Sequence, residues 1–308
     1  MKAVRFSQFG GPDVLDVVEV DPPSPAADEV VVQVRAAGIN PGEASIRKGL
    51  LEAFYPTTLP SGEGSDLAGV IAQVGSSVTD WQEGDEVVGW VDTRASHAQY
   101  VAVPAAHLVQ KPQSLPWEVA GGVFVAGGTA WAATDAVRPM KGDVVAVSAA
   151  AGGVGGLVSQ LLVERGATVL GIASAENADW LGSKGVTPID RSGGISAIAD
   201  RLRDAAPDGI DAFVDLFGGG YVQLALDLGV AGDRINTIID FDQVGRNGVL
   251  GAGSAEGSTA AVLGEVVNRL ADGRLELPIE RAYPLDQVGA AFTQLEQRRT
   301  RGKIVLIP

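Results

Sequence analysis

The sequence predicts an α/β protein in which a doubly wound parallel sheet is joined to a β-rich, barrel-like domain. Three observations predict it. Short apolar runs separated by turn residues occupy the chain up to about residue 113, strand–helix alternation follows, and the strand Val144–Val147 runs straight into a small-residue turn and a helix.

In the first region, Val30–Val34, Gly69–Val74, Glu86–Val91 and Gln99–Val103 have the length and composition of strands. Asp21-Pro22-Pro23, Asn40-Pro41-Gly42, Gly84-Asp85 and Val103-Pro104 punctuate them, the spacing expected of a compact β domain. The pattern changes after Lys111-Pro112. Ala130–Val137 reads as a helix, and Val144–Val147 as a β-branched strand buried on both faces. Apolar residues at 154, 157, 158, 161 and 162 give helical spacing, and Gly166 stops that helix. Strands at Thr168–Ile172, Val186–Ile189, Ile210–Asp215 and Arg234–Ile239 then alternate with helices at Ile195–Leu202 and Tyr221–Leu228. Such alternation implies parallel strands with helices packed on the sheet. Ala260–Ala271 and Leu285–Gln297 read as helices, and Lys303–Ile307 as a closing strand that returns to the first domain. The expected domains are residues 1–118 completed by 256–308, and residues 119–255.

A chain of 308 residues has length for two domains. Its 38 acidic and 23 basic residues give a net charge of −15, and no run of Lys and Arg offsets it. Nucleic acid and anionic membranes bind basic patches, so neither is an expected partner. Cysteine is absent and the histidines are two, His97 and His107. That removes disulfides and thiolate chemistry and leaves too few strong ligands for zinc. The polar first ten residues lack the apolar core of a signal peptide, and no apolar stretch reaches the ~20 residues of a membrane span. A cytoplasmic protein acting on a small molecule is expected. The 41 glycines show no period of 20–50 residues, so a solenoid is not expected.

Chemistry is concentrated at Gly142-Asp143-Val144-Val145-Ala146-Val147-Ser148-Ala149-Ala150-Ala151-Gly152-Gly153-Val154-Gly155. Ala149, Gly152 and Gly155 stand at three-residue spacing between a strand and a helix. Small residues there let the backbone approach a pyrophosphate and the helix pack on the strand. The helix N-terminus then offers N–H groups and a partial positive charge to phosphate. Ala150, Gly152, Gly153, Val154 and Gly155 are the candidate dinucleotide-binding residues. The strand ending at Ile172 carries Ser174 where an acidic residue would bind an adenosine ribose 2′-OH. A neutral donor there favours NADPH; Glu176, two residues on, keeps NADH open.

Further segments carry a resemblance to a known family. They are Phe9-Gly10-Gly11-Pro12-Asp13-Val14-Leu15, Ala36-Ala37-Gly38-Ile39-Asn40-Pro41 and Ile46-Arg47-Lys48-Gly49. Gly62-Glu63-Gly64-Ser65-Asp66-Leu67-Ala68-Gly69, Gly84-Asp85-Glu86-Val87, Gly128-Thr129-Ala130 and Arg301-Gly302-Lys303-Ile304-Val305-Leu306 follow in order. End to end, the chain resembles the zinc-independent quinone oxidoreductases, the zeta-crystallin-like branch of the medium-chain dehydrogenase/reductase superfamily. The resemblance implies a GroES-like catalytic domain, a Rossmann domain and a cleft between them.

Zinc-binding relatives carry cysteine where this chain has Asn40 and histidine where it has Glu63. By analogy Asn40 approaches the nicotinamide ribose and Thr129 the nicotinamide. Asn40 also reads as an Asn-Pro turn residue, and Thr129 as a helix N-cap before Ala130. Family positions for a 2′-phosphate fall on Ser174, Arg191 and Arg298, although Arg298-Arg299-Thr300-Arg301 also reads as a solvated charged face. Several quinone reductases carry tyrosine before the Ile-Arg pair, where this chain has Ser45. Tyr55, the nearby tyrosine, either lines the substrate cleft or packs. Glu63 and Asp66 are proton donors if burial raises their pKa, and structural otherwise.

The implied activity is hydride transfer from NADPH to a quinone or another α,β-unsaturated carbonyl. A conjugated acceptor spreads the incoming charge without a Lewis acid. Leu50–Pro60 and Asp240–Ser258 read as pocket-shaping loops. The alternatives are an enoyl-thioester reductase of the same superfamily and an NADPH-binding sensor or structural protein with little turnover. A homodimer through the Rossmann domain is implied by the resemblance.

Overall fold

A computed structural model describes all residues, Met1–Pro308, as two compact units: Met1–Val125 with Thr259–Pro308, and Ala126–Ser258. The first unit opens with strands β1 (Lys2–Phe6), β2 (Asp16–Glu19) and β3 (Glu29–Gly38), helix α1 (Pro41–Arg47), and strands β4 (Ser61–Gly62), β5 (Asp66–Val74), β6 (Glu86–Trp90), β7 (Tyr100–Pro104) and β8 (Leu108–Gln110). Helix α2 (Trp117–Gly121) follows. Strand β3 is the spine, antiparallel to both β5 and β7. Val30, Val32 and Val34 share one face of it by the period of two and pack with Leu67, Ile71 and Val103.

The expected strand Val30–Val34 runs on to Gly38 because its last residues are small. A Cβ on Gly38 would stand 2.6 Å from Asp66 Oδ2 and 2.9 Å from the Cα of Gly122, so only glycine admits that approach.

Helix α3 (Phe124–Ala136) leads into the second unit. It begins six residues before the expected start at Ala130, through Gly127-Gly128, which resemble breakers in sequence. Gly128 is small for packing: a Cβ there would stand 2.9 Å from the Gly257 carbonyl oxygen. Then come β9 (Val144–Ser148), α4 (Gly153–Glu164), β10 (Thr168–Ala173), α5 (Ala178–Ser183), β11 (Val186–Asp190), α6 (Gly194–Ala205), β12 (Ala212–Asp215), α7 (Tyr221–Asp227), β13 (Ile235–Thr237) and α8 (Ser254–Gly257). The sheet order is β11-β10-β9-β12-β13, with every pairing parallel. Chain order therefore reverses direction between β9 and β12, the switch point at which ligands bind in open α/β sheets. The expected strand Arg234–Ile239 shortens to three residues. The Ile239 and Asp240 N–H groups turn to the Thr237 hydroxyl, leaving the ladder.

The chain finishes in the first unit with α9 (Ala260–Ala271), β14 (Ile279–Pro284), α10 (Val288–Glu296) and β15 (Lys303–Ile307). Strand β15 lies parallel to β14 and antiparallel to the end of β3, pairing Val305 with Gly38 and Leu306 with Ala37. Val4, Ile39, Phe292, Ile304 and Leu306 form a core that joins the two ends of the chain. No helix is long and apolar enough to cross a membrane.

Candidate functional site

In the second unit, β9 ends at Ser148 and the backbone turns sharply at Ala149, whose φ is +49°. A left-handed conformation costs a non-glycine residue about 1 kcal/mol, so the turn is held by its surroundings. The Gly152 N–H donates to the Ala149 carbonyl at 2.9 Å, and Gly152 then caps α4. A Cβ on Gly155 would drive into the Ala149 carbonyl group, 2.8 Å from its carbon and 3.0 Å from the Ala150 Cα. A Cβ on Gly152 would meet one atom, the Ala149 oxygen at 3.3 Å, and otherwise open space. Gly155 therefore serves helix–strand packing, while Gly152 leaves the helix N-terminus approachable. Ala150 is fully buried, and Gly153 and Val154 are half-buried at the start of α4. The Gly153 and Val154 N–H groups lie in the first turn, where donors have no intrahelical acceptor, whereas the Ala150 N–H is taken by the Ile172 carbonyl at 3.1 Å.

Beside this turn's sheet edge lies an open cavity of about 580 Å³. Ser174, Glu176, Asp190, Arg191, Phe217 and Tyr221 are among its lining. The Arg191 N–H donates to the Ala173 carbonyl at 2.9 Å, placing that residue across from Ser174, and its guanidinium lies 5.9 Å from the Phe217 ring centroid. Asp190 is bound by the hydroxyl and N–H of Ser192, which hold its carboxyl below the usual carboxylate range. Ser174 and Arg191 are thus brought together on one cavity wall. Arg298 belongs to the first unit; it is exposed just past α10 with φ +56°. Thr129 is buried in the second turn of α3, so the N-cap reading is wrong: the helix has already begun.

Asn40 lies in a buried polar cluster of the first unit. Its backbone N–H donates to Glu43 Oε2 at 2.8 Å, and its side-chain amide to Glu43 Oε1 at 3.1 Å and Asp66 Oδ2 at 3.4 Å. The Lys303 ammonium donates to Asn40 Oδ1 at 2.6 Å and to the Ile39 carbonyl at 2.9 Å. Both amide hydrogens are consequently engaged, and Asn40 has one acceptor lone pair left to offer. Glu43 also takes the Ser65 N–H, and Asp66 the Val125 N–H. The spacing Asn40-Pro41-Gly42-Glu43 is the helix-start signature that makes Glu43 legible. Lys303, 263 residues away, has no local signal.

Arg47 is fully buried and joins three segments. It donates to Glu63 Oε1 at 2.6 Å, to Glu296 Oε1 at 3.0 Å and to the Gly11 carbonyl at 3.2 Å, and stands 4.4 Å over the Phe292 ring. Burial, with Glu43 nearby, pushes the Glu63 carboxyl up to about 8 against the pull of Arg47. Burial also raises Glu43 and Asp66, with Lys303 opposing. Tyr55 is apart from this cluster and 49 % exposed, on a segment that Arg94 ties through Thr57 and the Pro56 carbonyl.

His97 offers a pH test. Burial lowers its pKa from 6.5 to about 4, while Nε2 faces the Gly38 carbonyl at 3.0 Å. Between those values the unfolded chain takes up a proton that the folded chain refuses, so stability falls as pH falls from 6.5 to 4. The loss on complete titration is about 3 kcal/mol. Glu63 works in the opposite sense, its contribution being present below 4.5 and lost as pH rises toward 8. Urea midpoints at pH 7 and pH 5 for the wild type and His97→Gln isolate the histidine. The wild type is expected to lose more stability than the variant; equal losses would contradict this assignment.

Comparison with known proteins meets the same geometry. Residues 26–113 match the family described as alcohol dehydrogenase GroES-like domain, and residues 189–306 the family described as zinc-binding dehydrogenase. An NADPH-dependent alkenal/one oxidoreductase of Arabidopsis thaliana chloroplasts is 30% identical over 327 residues, covering 100% of this chain and 80% of the relative. The chain belongs to the quinone oxidoreductase branch of the medium-chain dehydrogenase/reductase superfamily. A probable quinone oxidoreductase of Schizosaccharomyces pombe is 29% identical, covering 99% of this chain and 96% of the relative. The Coxiella burnetii quinone oxidoreductase structure matches with a TM-score of 0.90 at 28% identity, covering 100% of this chain and 99% of that one. The Escherichia coli quinone oxidoreductase complexed with NADPH matches at 0.88 and 25%, covering 100% of both chains. The GroES-like and Rossmann-like architecture expected from sequence is therefore that of the family.

The zinc in one family description does not fit these residues. No group of three or more His, Cys, Asp or Glu side chains is arranged around a common point. Where zinc-binding relatives carry ligands, Asn40 is held by a lysine ammonium and Glu63 by a guanidinium. A nicotinamide dinucleotide does fit: the Gly152 approach, the first-turn N–H groups of α4 and the neighbouring cavity have the shape and donors that a diphosphate and adenosine need.

Proposed function

We propose that this member of the quinone oxidoreductase family is an NADPH-dependent, zinc-independent reductase of quinones or other α,β-unsaturated carbonyls. The observation that carries the proposal is the Ala149–Gly155 turn, open at Gly152 and closed at Gly155, at the switch point of a parallel sheet. Relatives described as quinone and alkenal/one oxidoreductases support the substrate class. When bound, the cofactor supplies a hydride. The protein's part is positioning: first-turn N–H groups of α4 take the diphosphate, and Ser174 with Arg191 takes the 2′-phosphate. Asn40 accepts a hydrogen bond from a ribose hydroxyl through its remaining lone pair, and Thr129 sits against the nicotinamide. Tyr55 and the exposed Leu50 and Phe54 offer apolar surface to the acceptor. Arg298 is proposed as a further contact to the 2′-phosphate.

Stopped-flow oxidation of NADPH with 1,4-benzoquinone, 9,10-phenanthrenequinone and an alkyl vinyl ketone tests the activity. Turnover is expected with at least one acceptor; none with any would sink the assignment. For the 2′-phosphate, Arg191→Ala is expected to weaken NADPH binding roughly tenfold or more, the worth of one charge-assisted contact, and to leave NADH binding unchanged. Calorimetry with both nucleotides checks it, and equal weakening of the two would place Arg191 elsewhere. We also propose a cytoplasmic homodimer, supported by the composition and the family alone; light scattering after size exclusion reads the assembly.

A further inference from the structure

At the carboxyl ends of β9, β12 and β13 stand Ser148, Asp215 and Thr237, each with no solvent exposure. Asp215 Oδ1 accepts three hydrogen bonds: from the Ser148 hydroxyl at 2.8 Å and from the Phe217 and Gly218 N–H groups at 3.0 Å. Its Oδ2 accepts the Thr237 hydroxyl at 2.9 Å. The two hydroxyls then accept in turn. Ser148 Oγ takes the Leu216 N–H at 2.8 Å, and Thr237 Oγ1 takes the Ile239 and Asp240 N–H groups at 3.3 and 3.0 Å. One carboxylate and two hydroxyls thus fix the loop departures after β12 and β13 and tie both to the last residue of β9.

We infer that Asp215, acting with Ser148 and Thr237, is a positioning residue that sets the cofactor-binding turn and the glycine loop after β12 as one unit. The inference rests on the NADPH reading above. Ser148 immediately precedes Ala149, the left-handed residue that begins the turn. On the other side, Gly218, Gly219 and Gly220 have φ of +73°, +69° and +97°. Such a run has little preference of its own, so the bonds of Phe217 and Gly218 to the carboxylate select its path. Phe217 and Gly219 line the same cavity as Ser174 and Arg191. The bonds from the Ser148 and Thr237 hydroxyls and the Gly218 N–H are charge-assisted and buried, so losing one leaves a buried polar group unpaired. Asp215 itself has no exposed surface with which to touch a ligand. Its influence on binding passes through the loops it holds.

The test uses the full chain. Asp215→Asn places an amide against donors and risks the fold, so Thr237→Val and Thr237→Ser form the decisive pair. Valine keeps the shape and removes the hydroxyl; serine keeps the hydroxyl. The readouts are NADPH affinity by calorimetry and, on ligand-free protein, amide hydrogen exchange across 149–155, 216–220 and 238–240. Thr237→Val is expected to weaken NADPH at least tenfold and to speed exchange in all three segments, while Thr237→Ser stays within twofold of wild type. The inference is overturned if Thr237→Val binds NADPH within twofold of wild type, or if exchange quickens in 238–240 alone. A wild type that binds no NADPH would overturn the cofactor reading itself, a distinct result.

Discussion

Gly155→Val is expected to destabilise the second unit by at least about 3 kcal/mol, the upper range for forced overpacking. A flexible side chain can give way, but the atoms in the path of this Cβ are backbone: the Ala149 carbonyl and the Ala150 Cα. Relief requires α4 to move off β9, and α4 carries Leu157, Val158, Leu161 and Leu162 in the core. Gly152→Ala, three residues earlier, meets one oxygen at 3.3 Å and is expected to cost less than about 0.5 kcal/mol, like a surface change. Urea denaturation followed by circular dichroism compares the two. Similar losses for both variants would mean that the two glycines do not divide packing from approach as the geometry indicates.

The second large effect is expected at Arg47. Arg47→Leu leaves Glu63 buried without its guanidinium and unties Glu296 and the Gly11 carbonyl, at a cost of about 3–5 kcal/mol for breaking a buried ion pair from one side. Because Glu63 then loses its hydrogen-bonded guanidinium, its carboxyl should be retained more readily in the neutral form, and the loss should be smaller at pH 5 than at pH 8. Arg47→Lys keeps the charge but has one ammonium for three acceptors and no planar group to lie over Phe292, so it should restore only part of the stability. Full restoration by lysine would show that charge alone matters there.

How much of this was legible in the sequence depended on whether the signal was local. The strand β9, its turn and α4 are written in consecutive residues: a β-branched run, then small residues, then apolar positions at helical spacing. Helix α9 and strand β15 likewise appear at their observed limits, Ala260–Ala271 and Lys303–Ile307. Helix α3 starts before the expected Ala130: Gly127 and Gly128 carry a breaker's composition in sequence, whereas the close approach of Gly257 is what requires Gly128. Strand β14 gives almost no alternation, with Glu280, Arg281 and Ala282 exposed in succession, and is defined by its pairing with β15.

The sites divide in the same way. Asn40 and Glu43 are neighbours in sequence, but their partners Asp66 and Lys303 arrive on β5 and β15, through pairings no local pattern encodes. The sequence leaves Glu63 and Asp66 open as proton donors or structural groups. Their carboxyls are raised as the first reading requires and committed to Arg47 and to Asn40, Lys303 and the Val125 N–H as the second requires. Asp215 ends a recognisable strand, yet its four donors come from the ends of two other strands, β9 and β13, and from the loop after β12.

The account stands on the helix N-terminus at Gly152 receiving the diphosphate of NADPH, and calorimetry of wild type and Gly152→Val with NADPH tests it most directly. Valine fits the extended backbone there, with φ −73° and ψ 178°, and fills the space that a phosphate would enter. The expected result is saturable 1:1 binding by the wild type and at least a hundredfold weaker binding by the variant, with melting temperatures of the ligand-free proteins within about 2 °C, the shift of a sub-kilocalorie change. Equal affinity in the two proteins, or no uptake by well-folded wild type, would contradict it.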